Sequence, residues 1–229
     1  MWSLDRRVAT AAVVVAALVF AVTIAGSDEP LPARAGSDRL VLARELATLA
    51  NRGARATWLV TFAFTRANTT GSKLHDTLVV AHRGSLEVDE GLGSLQVDTG
   101  SRNYSCTVVA DQPQCLASAA PAGTSQPGDV YGGAVVSGRY DIERGASSSI
   151  GGLVARCYRL RLRTSVPLAG LGYSSEQCYS SDGVPLRSRI VRPGGTDERD
   201  ALTVRRTVGR DDLLPLLAPY GLQRLAPAA

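Results

Sequence analysis

Lysine is almost missing from this chain: among 25 basic residues, Lys73 is the only lysine and the rest are arginine. That bias, together with abundant Ala, Gly and Val, marks GC-rich codon usage and points to a high-GC bacterium. It removes the arginine count as a nucleic-acid signature. Aromatic residues make up only 5% of the 229 positions, and histidine occurs twice. His75 and His82 are an odd number of positions apart, so on one strand they point to opposite faces, which argues against a two-histidine metal site. The four cysteines contain no CxxC pair of the kind a zinc site needs. No G-x-S-x-G elbow, P-loop or dinucleotide fingerprint occurs. Ser147–Ser149 has no base near it in sequence, and His75-Asp76, adjacent on a strand, face apart. The sequence therefore offers no catalytic residue, no metal ligand set and no cofactor motif, and the expectation is a protein that is not an enzyme. Net charge is only +4 and hydrophobic residues make up 45%, which fits one domain with a real core plus an appendage.

The appendage is the amino terminus. Arg6 and Arg7 precede a run from Val8 to Ser27 with no charged residue, long enough for a helix to span the bilayer core. This reads as a transmembrane signal anchor (8–27) behind a cytoplasmic tip (1–7). A cleaved secretory signal ending near Thr23-Ile24-Ala25 is the alternative. Both readings keep the arginine pair inside and export the rest, placing the protein at the cell membrane or secreting it. No cysteine lies near the end of the run, so lipid attachment through an amino-terminal cysteine is excluded. A Pro-containing linker (28–36) leads to the exported domain (37–218) and a tail (219–229).

Export changes the reading of the cysteines, because outside the cytoplasm an even count more often means disulfides. Eight residues separate Cys106 from Cys115 and twenty separate Cys157 from Cys178. These spacings suit two hairpins, each stapled across its own strands.

Ser37–Arg52 has a helical period, with Ser37 as N-cap and Gly53 as stop. From Ala54 the period changes to two: Trp58, Val60, Phe62 and Phe64 share one face, and Thr57, Thr61 and Thr65 share the other. Strands follow at 76–82, 84–89, 93–98, 102–109 and 113–117, an antiparallel meander. The Gly-, Ala- and Ser-rich stretch 119–152 reads as a crossover or a loop, with a short helix at 128–136. In the strand after it, Val154, Tyr158, Leu160 and Leu162 alternate with Cys157, Arg159, Arg161 and Arg163. Placing Cys157 opposite Cys178 puts Arg159 opposite Glu176 and Leu162 opposite Tyr173. A two-residue Asp182-Gly183 turn puts Tyr179 opposite Leu186 and Glu176 opposite Arg189. A last strand at 198–208 places Leu202, Val204 and Val208 together, and a short helix begins at Asp211.

Two surfaces carry functional alternatives. The arginines at 159, 161, 163, 187 and 189 form either a solvated outer face or a stripe attracted to anionic headgroups or wall polymers. Nucleic acid is disfavoured, since no aromatic residue stands among them to stack bases. The aromatic face is either plain core or the wall of an apolar cavity for acyl chains.

The segments RNYSCTVVADQPQCL, YDIERGASSSIGGLVARCYRLRL and EQCYSSDGVPLR, in a chain ordered helix, strands, crossover, strands, resemble the LolA-like lipoprotein-carrier superfamily. The nearest pattern is that of LppX- and LprG-like members from high-GC Gram-positive bacteria. The resemblance implies an α+β, mainly β fold: a curved antiparallel sheet, or incomplete β-barrel, closed by helices and here preceded by one transmembrane helix. It also implies an apolar cavity for a lipid or lipid-modified partner, lined by Trp58, Val60, Phe62, Phe64, Tyr158, Leu160 and Leu162, with no enzymatic step. A protein-interaction or sensor ectodomain of the cell envelope, binding an envelope protein, is the alternative on the same fold. The chain departs from the carrier pattern in lacking the lipobox cysteine and in carrying an anchor, which argues against free shuttling.

Overall fold

A computed structural model describes residues 33–120 and 126–227. The proposed anchor lies outside the described residues, and none of the described helices is long and apolar enough to cross a membrane. Helix α1 (Ala33–Gly53) comes first, followed by strands β1 (Trp58–Asn68), β2 (Lys73–Arg83), β3 (Leu86–Gly91), β4 (Ser94–Asp98), β5 (Arg102–Val109) and β6 (Gln112–Ala119). Helix α2 (Pro127–Val136) leads to β7 (Tyr140–Arg144), β8 (Ser148–Ile150), β9 (Leu153–Leu162), β10 (Ser174–Tyr179), β11 (Pro185–Arg192) and β12 (Gly195–Arg205). Helix α3 (Arg210–Leu217) and two short 3-10 turns end the described chain.

The expected α1 lengthens at its start. It begins at Ala33, so Ser37 lies inside it and does not cap it. Ala33, Arg34 and Ala35 are strong helix formers. The expected crossover also holds more structure than the sequence suggests: α2 is present, and β7 and β8 follow it. After residue 218, Tyr220, Leu222 and Ala226 are buried against α3 and β1–β5.

All strands belong to one sheet, ordered β6-β5-β4-β3-β2-β1-β12-β11-β10-β9-β7, with β8 on β9. Both expected disulfides form, Cys106 to Cys115 across β5–β6 and Cys157 to Cys178 across β9–β10. Arg159 stands opposite Glu176, and Glu176 opposite Arg189, as the sequence predicts. The amide of Leu162 donates to the carbonyl of Tyr173 at 2.9 Å, as that register requires. One pairing differs. Tyr179 faces Pro185, not Leu186. The turn has three residues, because Ser180 N–H bonds the Val184 carbonyl, and Gly183 takes the positive φ of +89° that such a loop needs. A bulge then shifts the register back between Cys178 and Tyr179. On β12 a bulge beside Thr61/Phe62 makes Ala201 face Phe62. Leu202 is turned out and 56% exposed, contrary to its expected place with Val204.

Directly paired residues share a face of the sheet, so the ladder can be followed as a row. One such row runs Phe64, Arg199, Ser188, Gln177, Tyr158, Arg144 across β1, β12, β11, β10, β9 and β7. Another runs Val60, Val80, Asp89, Gln96, Ser105, Leu116 from β1 to β6. Side chains stand roughly perpendicular to a sheet. Arg199 on β12 and Asp89 on β3 are three strand spacings apart, roughly 14 Å on a flat sheet, yet their charged groups meet at 3.3 Å. The sheet therefore curls toward this face.

Its two faces are covered differently. The convex side of β1–β5, with Leu59, Val88, Leu95 and Val97, packs under α3. The concave side at β7, β9 and β10 packs under α1 and α2 through Tyr140, Tyr158, Leu160 and Tyr179. Between these, Trp58, Val60, Phe62 and Phe64 join Leu78, Val80, Leu186 and the Cys157–Cys178 bridge in a third cluster.

Candidate functional site

The concave face is left open over β1–β4 and β11–β12, and there it forms a trough. Phe64, Leu78 and Ile190 give it an apolar floor, while Arg66, Asp89, Arg192, Asp197 and Arg199 supply charged walls around about 360 Å3. A second, more apolar compartment of about 200 Å3 lies toward the carboxyl end of α1 and the start of α2, over Trp58, Phe62 and Val80. The two compartments share Asp89, Ser188 and Arg199. The Arg199–Asp89 pair is thus a bar across the trough.

Local chemistry fixes the walls. Asp197 on β12 accepts from Arg66 at 2.7 Å and from Arg192 at 3.3 Å. Burial works to raise its carboxyl pKa, but the two guanidiniums outweigh it and hold it below the usual range. Arg192 is itself tied to the Ala169 carbonyl. On β3, burial pushes Glu87, beside the smaller compartment, and Glu90, on the convex face, up, and neighbouring carboxylates (Asp89 and Asp98 for the first, Asp76 and Asp89 for the second) push them further. His82 is buried, stacks on Trp58 with ring centroids 5.7 Å apart, and donates from Nδ1 to the Ala56 carbonyl at 2.6 Å. Trp58 Nε1 donates to the Gly53 carbonyl at 2.9 Å, tying the floor to the end of α1. His75 is exposed beside Thr65 on the opposite strand, so the histidines stay apart as their spacing requires.

The residues proposed for an apolar cavity stand on one face but not in one space. Phe64 borders the larger compartment, and Trp58 and Phe62 border the smaller. Each is at most 5% exposed, and Val60 is wholly buried. Tyr158 and Leu160 are fully buried under α1, where the Tyr158 hydroxyl donates to Glu45 at 3.2 Å. Leu162 packs at the edge of that cluster. The helices separate the two groups, a division that strand periodicity does not reveal. Sequence reasoning missed Leu78, Ile190, Asp89 and Arg199. The first two carry an alternation that was readable, but the last two meet only because the sheet curls.

Four of the five arginines of the outer stripe are paired, and Arg189 has no ion pair among the described residues. Arg159 pairs with Glu176, Arg161 with Glu143, Arg163 with Asp141 and Arg187 with Asp200. Cys157, Glu176 and Cys178 bring three metal-capable atoms within 4.8 Å, but the two sulfurs are bonded to each other, so only the carboxylate remains as a ligand.

No protein-family model matches the chain, and no curated protein does. Among solved structures, MucB aligns at a TM-score of 0.50 and 17% identity, over 73% of this chain and 60% of that one. The chain shares its fold with MucB. It spans less than two thirds of the MucB chain it matches. Similar structures also include a LolA superfamily protein from Nitrosomonas europaea, at TM-score 0.33 and 11% identity over 75% of this chain and 96% of that one. LprF from Mycobacterium bovis is a third, at TM-score 0.35 and 11% identity over 73% and 95%.

Proposed function

We propose that this chain is a non-catalytic binding domain, tethered through Val8–Ser27 on the outer side of the cell membrane, whose trough receives an extended segment of an envelope protein. The observation that carries this reading is the lining of the trough. Eight of its thirteen lining residues are charged or polar, whereas pockets for small apolar ligands are lined predominantly by hydrophobic side chains. The aromatic side chains that would line an acyl cavity are already almost fully covered. A polypeptide offers backbone donors and acceptors along its length to match such walls, and apolar side chains for the floor. MucB is solved in complex with a protein, MucA; that partnership belongs to MucB and agrees with this reading at the level of fold.

A second reading, a lipid or lipid-modified partner, has its own support in the smaller compartment, whose floor of Trp58, Phe62 and Val80 suits an acyl end. One experiment separates the two. Photo-crosslinking residues are placed at Ser188 and Gln96 in the trough and at Arg161 on the outer face of the full chain, expressed in a high-GC Gram-positive host. The protein reading expects the same polypeptide joined at Ser188 and Gln96 and not at Arg161. Native mass spectrometry of the same preparation reports any bound lipid. A reproducible lipid mass without a trough crosslink replaces the first reading by the second, and absence of both removes the trough as a binding site.

A further inference from the structure

A separate cavity of about 260 Å3 lies along the flank of α1, between it and the first half of β9, and shares no lining residue with the trough compartments. Val41 and Leu49 line its apolar side above the buried Tyr158, and Arg44, Arg52 and Arg156 its charged side. One carboxylate, Glu45, is present, and it is already engaged. It holds the Arg144 guanidinium and accepts the Tyr158 hydroxyl at 3.2 Å, and Arg144 stands over the Tyr158 ring, 5.6 Å from its centre. Arg52 donates from Nη1 to the Ser181 carbonyl at 2.6 Å, which fixes its position while leaving its charge uncompensated. Arg44 and Arg156 form no ion pair among the described residues.

Eight arginines elsewhere on the surface are compensated: arginines 159, 161, 163, 187, 192, 199, 205 and 206 each meet a carboxylate within 4 Å. Gathering three cations around one cavity without counter-charges costs self-repulsion, which a bound anion relieves. Guanidinium groups converge naturally on phosphoryl oxygens, donating two parallel hydrogen bonds each. Beside the arginines, Leu40 and Val41 are 49% and 53% exposed, an apolar margin that a bare inorganic anion would not use.

We propose that the α1–β9 cavity is an anion site for a phosphate group, held by Arg44, Arg52 and Arg156. The proposal does not depend on what the trough binds. The phosphate can be that of a lipid headgroup or a free ion, and the two are distinguished by titration. The full chain in nonionic maltoside micelles is titrated by calorimetry with inorganic phosphate and, separately, with dioctanoyl phosphatidic acid at matched ionic strength. Saturable binding with one site per chain is expected. Arg44→Gln combined with Arg156→Gln should weaken it at least about tenfold, because two charge-assisted contacts are lost. Arg161→Gln, which removes a paired arginine on the outer face, should leave it unchanged. Both altered residues are exposed, and an unchanged thermal midpoint checks that the double variant folds. Saturation by phosphatidic acid alone names a headgroup as the source, and equal affinity for both probes names free phosphate. If neither probe saturates, or if Arg161→Gln weakens binding as much as the double variant, the site is refuted.

Discussion

One row of paired residues crosses the concave face from Phe64 through Arg199 and Ser188 to Tyr158 and Arg144, and its two ends have opposite fates. At the Tyr158 end, α1 and α2 lie on the sheet, and Tyr158 and Leu160 have no accessible surface. At the Phe64 end no helix covers the sheet, and the same face carries charge pairs over an apolar floor. The strands are alike in pattern; what differs is the layer placed above them. A sheet face is thus neither core nor cavity by its own sequence, and coverage decides between the two.

The sharpest test of this comparison uses one substitution at both ends. Leu160→Ala under α1 should cost near the upper part of the ~2–5 kcal/mol range for buried leucines, because the closed cluster cannot refill the space. Leu78→Ala in the trough floor should cost near the lower part, because the lost volume opens onto the existing trough. Urea denaturation midpoints measure both, and equal costs would remove the distinction between the two ends. The disulfides extend the comparison. Replacing Cys157 and Cys178, both buried, by alanine should destabilise by ~3 kcal/mol from loop closure alone, with a further loss from packing. Of the pair Cys106 and Cys115 only Cys106 is buried, so its packing loss beyond loop closure should be the smaller of the two.

The next effect is one of pH. Asp182 is held down to about 2, first by the hydrogen bonds of Arg206. Its stabilising contribution is complete above the ordinary aspartate pKa, near ~3.9, and is lost as pH falls toward 2. Because the pair is exposed, the contribution is ~0–1 kcal/mol. Glu87, beside the smaller compartment, and Glu90, on the convex face, act in the opposite sense: their raised carboxyls stabilise the fold when protonated, and this is lost as pH rises through their folded values. Urea midpoints against pH should therefore rise on acidification from neutrality and fall below pH ~4. Glu87→Gln should flatten the rise, and Asp182→Asn part of the fall. The smallest effect belongs to the outer face, where Arg159→Gln should change stability by no more than ~1 kcal/mol.

Much of the fold was legible. The period-two runs located β1–β6 and β9–β11 to within a few residues, and the cysteine spacing with the Arg159–Glu176 pairing fixed the β9–β10 register. These signals are local or depend on neighbouring strands, so sequence carries them directly. The trough was legible only in its aromatic half. Its bar, Arg199 with Asp89, joins residues on strands separated by two others, and no period in either strand records the curl that brings them together. Strands β7 and β8 were hidden for a different reason. They are short and sit among Gly and Ser, where alternation has too few residues to register. Leu202 was misplaced because a single bulged residue exchanges inside for outside.

The three-residue turn at Ser181–Gly183 and the bulge on β11 offset one another, and this bears on how the chain can change length over generations. Loss of Gly183 alone, or closure of the bulge alone, slides β11 by one position against β10 and turns every side chain of that strand to the other face. Ile190 would leave the trough and Arg187 would lose Asp200. Loss of both together restores the ladder. Insertions and deletions at these two places are therefore tolerated only in pairs, and related chains should carry either both extra residues or neither.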